Sequence, residues 1–185
     1  PTPTPPPNTR AMAIPPTITT APANKAVNVG KTAAFSVTAT DTAPVQYQWR
    51  KNGANISGAT NSSYTTPATV AADNGSLFSV VVSNGGGSVT SNNATLTVRI
   101  PPTITTQPAN KTVSAGHTAK FSVTATGTTP LHYQWMKNGV SITGATGSSY
   151  TTPPTTAADN GALFAVIVSN VAGSVTSNNA ILTVQ

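Results

Sequence analysis

In residues 34–40 (AFSVTAT) apolar side chains fall on every second position, with Phe35, Val37 and Ala39 on one face and Ser36, Thr38 and Thr40 on the other. A period of two marks a strand with one buried face. Residues 45–49 (VQYQW) alternate the same way, with Tyr47 and Trp49 inward and Gln46 and Gln48 outward. Residues 77–84 (LFSVVVSN) place Phe78, Val80 and Val82 on the inner face. A shorter strand, 62–66, stops at Pro67, and 88–98 closes the unit after a glycine-rich hairpin. Lys51-Asn52-Gly53 supplies a tight turn, because Asn-Gly tolerates positive φ. Short alternating segments, turn residues between them and no 3.6-residue period predict an antiparallel β-sandwich of about seven strands.

The whole pattern occurs twice. Shifting the chain by 86 positions lays Ile14 on Ile100 and runs gap-free to Gln185, with 62 of 86 pairs identical. That period exceeds a solenoid unit and suits an independent small domain. The expected organisation is a first domain over 14–99 and a second over 100–185, with a Pro/Thr-rich tail or linker over 1–13. Pro101-Pro102 makes the connection short and stiff, so the domains are expected end to end with restricted swing.

Composition then removes most chemistry. The 185 residues are 37% hydrophobic and only 6% charged, without cysteine. There are three acids, Asp41, Asp73 and Asp159, and two histidines, His117 and His132. A convergent carboxylate pair or a four-ligand metal site has almost nothing to draw on. Serines abound, but none stands in a G-x-S-x-G turn beside a base and an orienting acid. No catalytic, metal or cofactor site is expected. The formal charge of +6 comes from nine dispersed cations facing few acids, so it reflects missing carboxylates and not a nucleic-acid footprint. No apolar run reaches the length of a membrane-spanning helix, and residues 1–13 lack the pattern of a secretion signal, which reads as a mature product or an excised fragment.

The segments FSVTATG, YQWMKNG, SSYTTPPTTAADNG, FAVIVSN and AGSVTSNNAILTV of the second repeat, with their counterparts in the first, resemble immunoglobulin-like domains of the cysteine-free kind that occur in tandem in bacterial secreted and surface proteins. The most specific marker is a tryptophan just before a KNG turn, at Trp49 and Trp135. The resemblance implies an all-β pair of tandem sandwiches joined by the short Pro-Pro linker, each tryptophan lying at a sandwich centre. It places the family's disulfide at Val37 and Val80, and at Val123 and Val166, so a valine pair stands where a bridge is common. Closing that loop of 43 residues would constrain the unfolded chain by about 4 kcal/mol. Valine burial recovers about 1.5–3 kcal/mol per side chain. The family's corner tyrosine becomes Phe78 and Phe164, which cannot make the hydroxyl's hydrogen bond. Asp73 and Asp159 match the loop aspartate, but no arginine stands in the matching strand, and their expected role is turn formation.

The function these features imply is a non-catalytic extracellular structural or adhesive module, a rod-like spacer or display segment of a bacterial secreted or surface protein. Its expected partners are neighbouring modules, other copies of the chain, or surface polysaccharide; nucleic acid and membrane insertion are not expected. Two alternatives stand beside it. In one, residues Arg10, Ala11, Met12, Ala13 and Ile14 add as a strand to another copy and build a filament, although the prolines before them cannot donate ladder bonds. In the other, the chain is a carbohydrate-binding accessory domain; that needs exposed aromatic platforms, whereas all ten rings fit core-facing strand positions. Five Asn-x-Ser/Thr sequons, at Asn55, Asn61, Asn74, Asn93 and Asn110, are about what chance gives for this composition.

Overall fold

A computed structural model of the chain describes residues 14–41 and 44–185. Backbone contacts divide it into two compact units that meet at Val98 and Arg99. The first unit holds β1 (Thr17–Thr20), β2 (Lys25–Asn28), β3 (Ala34–Ser36), β4 (Thr38–Thr40) and β5 (Gln46–Lys51). It continues through β6 (Ala54–Asn55), β7 (Ser63–Thr65), β8 (Leu77–Asn84), β9 (Gly87–Thr90) and β10 (Ala94–Arg99). One layer consists of the antiparallel pairs β1–β4 and β3–β7. The other runs β2-β10-β8-β5-β6, with β9 also paired to β8.

The second unit repeats this arrangement. Its strands are β11 (Thr103–Thr106), β12 (Lys111–Val113), β13 (Lys120–Ser122), β14 (Thr124–Thr126) and β15 (His132–Lys137). They are followed by β16 (Val140–Ser141), β17 (Ser149–Thr151), β18 (Leu163–Asn170), β19 (Gly173–Thr176) and β20 (Ala180–Val184). The pairs are β11–β14 and β13–β17 in one layer and β12-β20-β18-β15-β16 in the other, β19 lying on β18. The fold is all-β, two immunoglobulin-like sandwiches, each closed around its own cluster of buried residues.

The ladders are more broken than the alternation suggests. Residues 34–40 keep their face, yet the strand changes partner at Val37: β3 pairs with β7 and β4 with β1. Val37 N–H bridges the gap by donating to Ser62 O at 3.0 Å. The segment 88–98 also splits, since Ser91 seats its backbone N–H on Val80 O and accepts the Val80 N–H on its hydroxyl. Two strands per unit had no signal in the alternation. β1 and β2 are threonine-, lysine- and asparagine-rich; β1 pairs at one sheet edge and β2 lies beside β10 in the opposite layer. A single 3-10 turn, Ala71–Asp73 or Ala157–Asp159, precedes β8 and β18.

Asn52 and Asn138, each followed by glycine, sit at φ +50° and +52°, as a tight hairpin turn requires. They do more than turn the chain. Asn52 N–H donates to Leu77 O and its Oδ1 accepts from Leu77 N–H, both at 2.8 Å, which extends the β5–β8 ladder by a side chain. Asn138 and Leu163 repeat both bonds at the same lengths.

Candidate functional site

The centre of each unit is an aromatic stack. Trp49 and Phe35 are fully buried, with Phe78 at 1% exposure. Phe35 and Phe78 stack at 4.6 Å between centroids, while Trp49 lies 6.3 Å from both Phe35 and Tyr64. In the second unit Phe121 and Phe164 stack at 4.5 Å, and Trp135 lies 6.4 Å from Phe121 and Tyr150. Such pairs contribute about 0.5–1.5 kcal/mol each beyond area burial. Each indole N–H is satisfied: Trp49 donates to Asn61 O and Trp135 to Gly147 O, both at 2.9 Å. Val80 and Val166 are fully buried directly opposite Trp49 and Trp135 in the strand register. Val37 and Val123, from the other layer, are buried too. Burying Val, Phe and Trp in this way is the main stabilising force for a domain of this size.

At one end of each stack a charged pair reaches in. Lys51 closes β5 opposite Phe78, so its stem lies on the core side. Its Nζ stands 2.6 Å from Asp73 Oδ1, and Asp73 Oδ2 accepts the Val70 N–H at 2.8 Å. In the second unit Lys137 Nζ is 2.5 Å from Asp159 Oδ1, while Asp159 Oδ2 accepts from Thr156 N–H at 2.8 Å and Thr156 Oγ1 at 3.0 Å. The aspartates therefore shape the 3-10 turn, as their sequence context suggests. They also have a cation partner, a lysine and not an arginine: it stands 22 residues upstream and is delivered by the β5–β8 register. The lysine hydrogen bond, then the backbone N–H of Val70, hold the Asp73 carboxyl below its ordinary value. For Asp159 the Lys137 hydrogen bond, the Thr156 N–H and the Thr156 hydroxyl bring it down to about 2.

This geometry keeps both carboxylates ionised and occupied, which suits a clasp and not a general acid. Beside each clasp lies a hollow: about 220 Å³ next to Lys137, Tyr150, Pro154 and Asp159, and about 100 Å³ next to Lys51, Tyr64 and Asp73. Ligand pockets run from about 300 to 1,000 Å³. His117 and His132 are exposed. Among the described residues no three histidine, aspartate or glutamate side chains gather as a metal site, and no helix is long and apolar enough to cross a membrane. Tyr47, Tyr64, Tyr133 and Tyr150 are half-buried, and the other rings are buried. Asp41 of the first unit accepts from Asn84 Nδ2. At the equivalent place in the second unit stands Gly127, and Asn170 Nδ2 donates instead to Thr128 O and Ile100 O at 2.8 Å each.

Of the segment proposed for strand addition, Arg10, Ala11, Met12 and Ala13 lie outside the described residues. Ile14 is exposed, and its carbonyl accepts from Asn84 Nδ2 at 2.6 Å. The prolines read as a linker are largely internal to the second unit. Pro102 is buried, and Ile100 is bonded through N–H and C=O to Thr128. Since β10 extends to Arg99, the first anchored residue of one unit directly follows the last strand residue of the other.

The immunoglobulin domain profile matches residues 15–99 and 101–170. The chain belongs to the immunoglobulin domain family. Among curated proteins it is 32% identical over 148 residues to the tyrosine-protein phosphatase Lar of Drosophila melanogaster; the match covers 69% of the chain and 7% of that protein. Among solved structures it resembles the I-band fragment I67–I69 of titin, with a TM-score of 0.76 at 20% identity over 91% of the chain and 65% of that fragment. Sidekick-1 immunoglobulin domains 1–4 give a TM-score of 0.76 at 20% identity over 94% of the chain and 50% of theirs. The chain thus spans less than two thirds of these relatives, and the structural likenesses concern the fold.

Proposed function

We propose that this tandem immunoglobulin chain is a non-catalytic spacer or display segment of an extracellular bacterial protein, with adhesive contacts to neighbouring modules or other copies. One observation carries the reading: no unanchored residue separates the strand that ends at Arg99 from Ile100, which Thr128 and Asn170 already hold. Direct continuation from one folded unit into the next suits a spacer, whose length along the chain is then set by its modules and not by loose linker. Clasped carboxylates and closed aromatic cores support a role without chemistry. The bacterial surface assignment rests on the cysteine-free tandem pattern with valines at the bridge positions.

The test compares the chain with a variant carrying a five-residue Gly-Ser insertion between Arg99 and Ile100, by small-angle X-ray scattering. The parent should give a narrow distribution of interdomain distances and the insertion a broad one. Equal distributions would refute the spacer reading. Pull-down on insoluble polysaccharide should be blank; retention would favour the carbohydrate-binding alternative.

A further inference from the structure

When glycine follows asparagine, its backbone nitrogen can attack the asparagine side chain with little hindrance, because glycine carries no Cβ. The chain has five such pairs: Asn52-Gly53, Asn74-Gly75, Asn84-Gly85, Asn138-Gly139 and Asn160-Gly161. Ring closure needs a glycine N–H free to give up its proton, a side-chain carbonyl carbon within reach of that nitrogen, and an amide nitrogen free to leave. The fold meets these needs unequally.

Asn74 and Asn160 are held on both reacting groups. Gly75 N–H donates to Leu96 O and Gly161 N–H to Leu182 O, both at 2.8 Å. Their side-chain oxygens accept from Val98 N–H at 2.9 Å and Val184 N–H at 3.0 Å. Leu96 and Leu182 are buried, so freeing either glycine opens a core strand. Asn84 is held on its leaving group, since Nδ2 donates to Ile14 O and Asp41 Oδ2. Its Oδ1 accepts from Gly86 N–H at 2.7 Å and Gly87 N–H at 3.0 Å.

The two hairpin asparagines are held differently. Among the described residues nothing accepts from Gly53 N–H or Gly139 N–H, or from the side-chain amide of Asn52 or Asn138. The turn itself restrains them. A tight turn with φ of +52° at Asn138 and +79° at Gly139 keeps the first ψ at about +30°, which points the glycine nitrogen away from the Asn138 side chain. Opening it breaks the two bonds to Leu163 and the short β15–β16 ladder, Met136 with Ser141 and Lys137 with Val140. No buried apolar surface is lost, because residues 138–141 are exposed. In the first domain Arg50 Nε also grips Asn55 Oδ1 at 2.9 Å across the same two strands. Met136 and Ser141 stand at those places in the second domain and carry no such tie.

We propose that Asn138-Gly139 is a site of spontaneous covalent modification, converting to aspartyl and isoaspartyl forms ahead of the other four pairs. Local opening of β16 brings the Gly139 nitrogen against Asn138 Cγ. That nitrogen gives its proton to hydroxide as the new N–C bond forms, Nδ2 takes a proton from water and leaves as ammonia, and a five-membered succinimide remains. Water then adds to one of the two ring carbonyls and reopens the ring. One direction gives aspartate, whose carboxylate accepts the Leu163 N–H as the amide did. The other inserts an extra atom into the backbone, for which a two-residue turn has no room. Either product lowers the net charge of +6 by one. The site stands apart from the spacer reading, and its failure would leave that reading intact.

The full chain is kept folded in warm, mildly alkaline buffer and, in parallel, in concentrated urea. Peptide mapping by mass spectrometry then follows each asparagine and resolves aspartyl from isoaspartyl. In the folded chain Asn138 should convert first and Asn52 more slowly, with Asn74, Asn84 and Asn160 about tenfold or more below Asn138. In urea the five rates should close to within about threefold, because glycine follows every one. The double variant M136R/S141N carries the first domain's tie and should bring Asn138 down to the Asn52 rate, while R50M should raise Asn52 toward Asn138. Conversion led by Asn74, Asn84 or Asn160 in the folded chain would overturn the proposal. So would an Asn138 that leads equally far in urea, or rates at Asn138 and Asn52 that ignore both variants.

Discussion

Trp135 fills the centre of its sandwich and spends its one polar group on Gly147 O. Replacing it by phenylalanine removes that bond and leaves a void among Phe121, Tyr150 and Val166, for an expected loss of about 2–3 kcal/mol in urea unfolding. Trp135→Ala should cost more, about 3–5 kcal/mol. The clasp has a pH signature. The folded Asp159 carboxyl titrates at about 2 against an ordinary 3.8, so its contribution is complete above pH 3.8 and is lost as the pH falls toward 2. Melting temperature measured from pH 6 down to about 2 should fall across that window, and Asp159→Asn should flatten the fall. An unchanged slope in that variant would remove the clasp from the account. Neither lysine partner was legible in the sequence, because a pair 22 residues apart meets only after β5 and β8 are in register.

Among the elements, the turns hold more than reversals. Asn138 combines a φ of +52° with a side-chain bond to Leu163 N–H. Asn138→Ala would keep the unfavourable backbone and lose the bond, destabilising the second domain by about 1–2 kcal/mol, whereas Asn138→Gly would lose the bond alone. The order alanine below glycine below parent in denaturant midpoint checks this. Gly127 is constrained by its surroundings: at φ +148° an added Cβ would stand 3.0 Å from Pro101 O and Pro102 Cα. Gly127→Ala should therefore lower stability by about 1–3 kcal/mol, although the first domain carries Asp41 at this place. The alternation at 34–40 and 77–84 was readable because burial follows local periodicity. β1 and β2 were not, since edge strands need backbone partners more than apolar side chains, and TITT or KAVN offers little contrast between faces.

For the whole molecule, each aromatic cluster is built, among the described residues, from its own unit, so the two units are expected to unfold as separate transitions. Calorimetry of Trp49→Ala should shift one transition down and leave the other in place; a common shift of both would show coupling between the units. The sequence relation of the halves preserves the cores, since Phe35, Val37, Trp49, Phe78 and Val80 recur as Phe121, Val123, Trp135, Phe164 and Val166 among the 62 shared positions.

The linear chain by itself determined the strand-rich character, the duplication and the inward rings, because each depends on period, composition or local identity. It also left acid–base and metal chemistry little to draw on, with three side-chain carboxylates and two imidazoles in the sequence. Tertiary structure alone decided the partner exchange at Val37, the lysine–aspartate clasps, and the anchoring of Ile100 and Pro102 within the second domain. These features join residues distant in the chain, and which distant residues become neighbours is set by strand register and layer stacking.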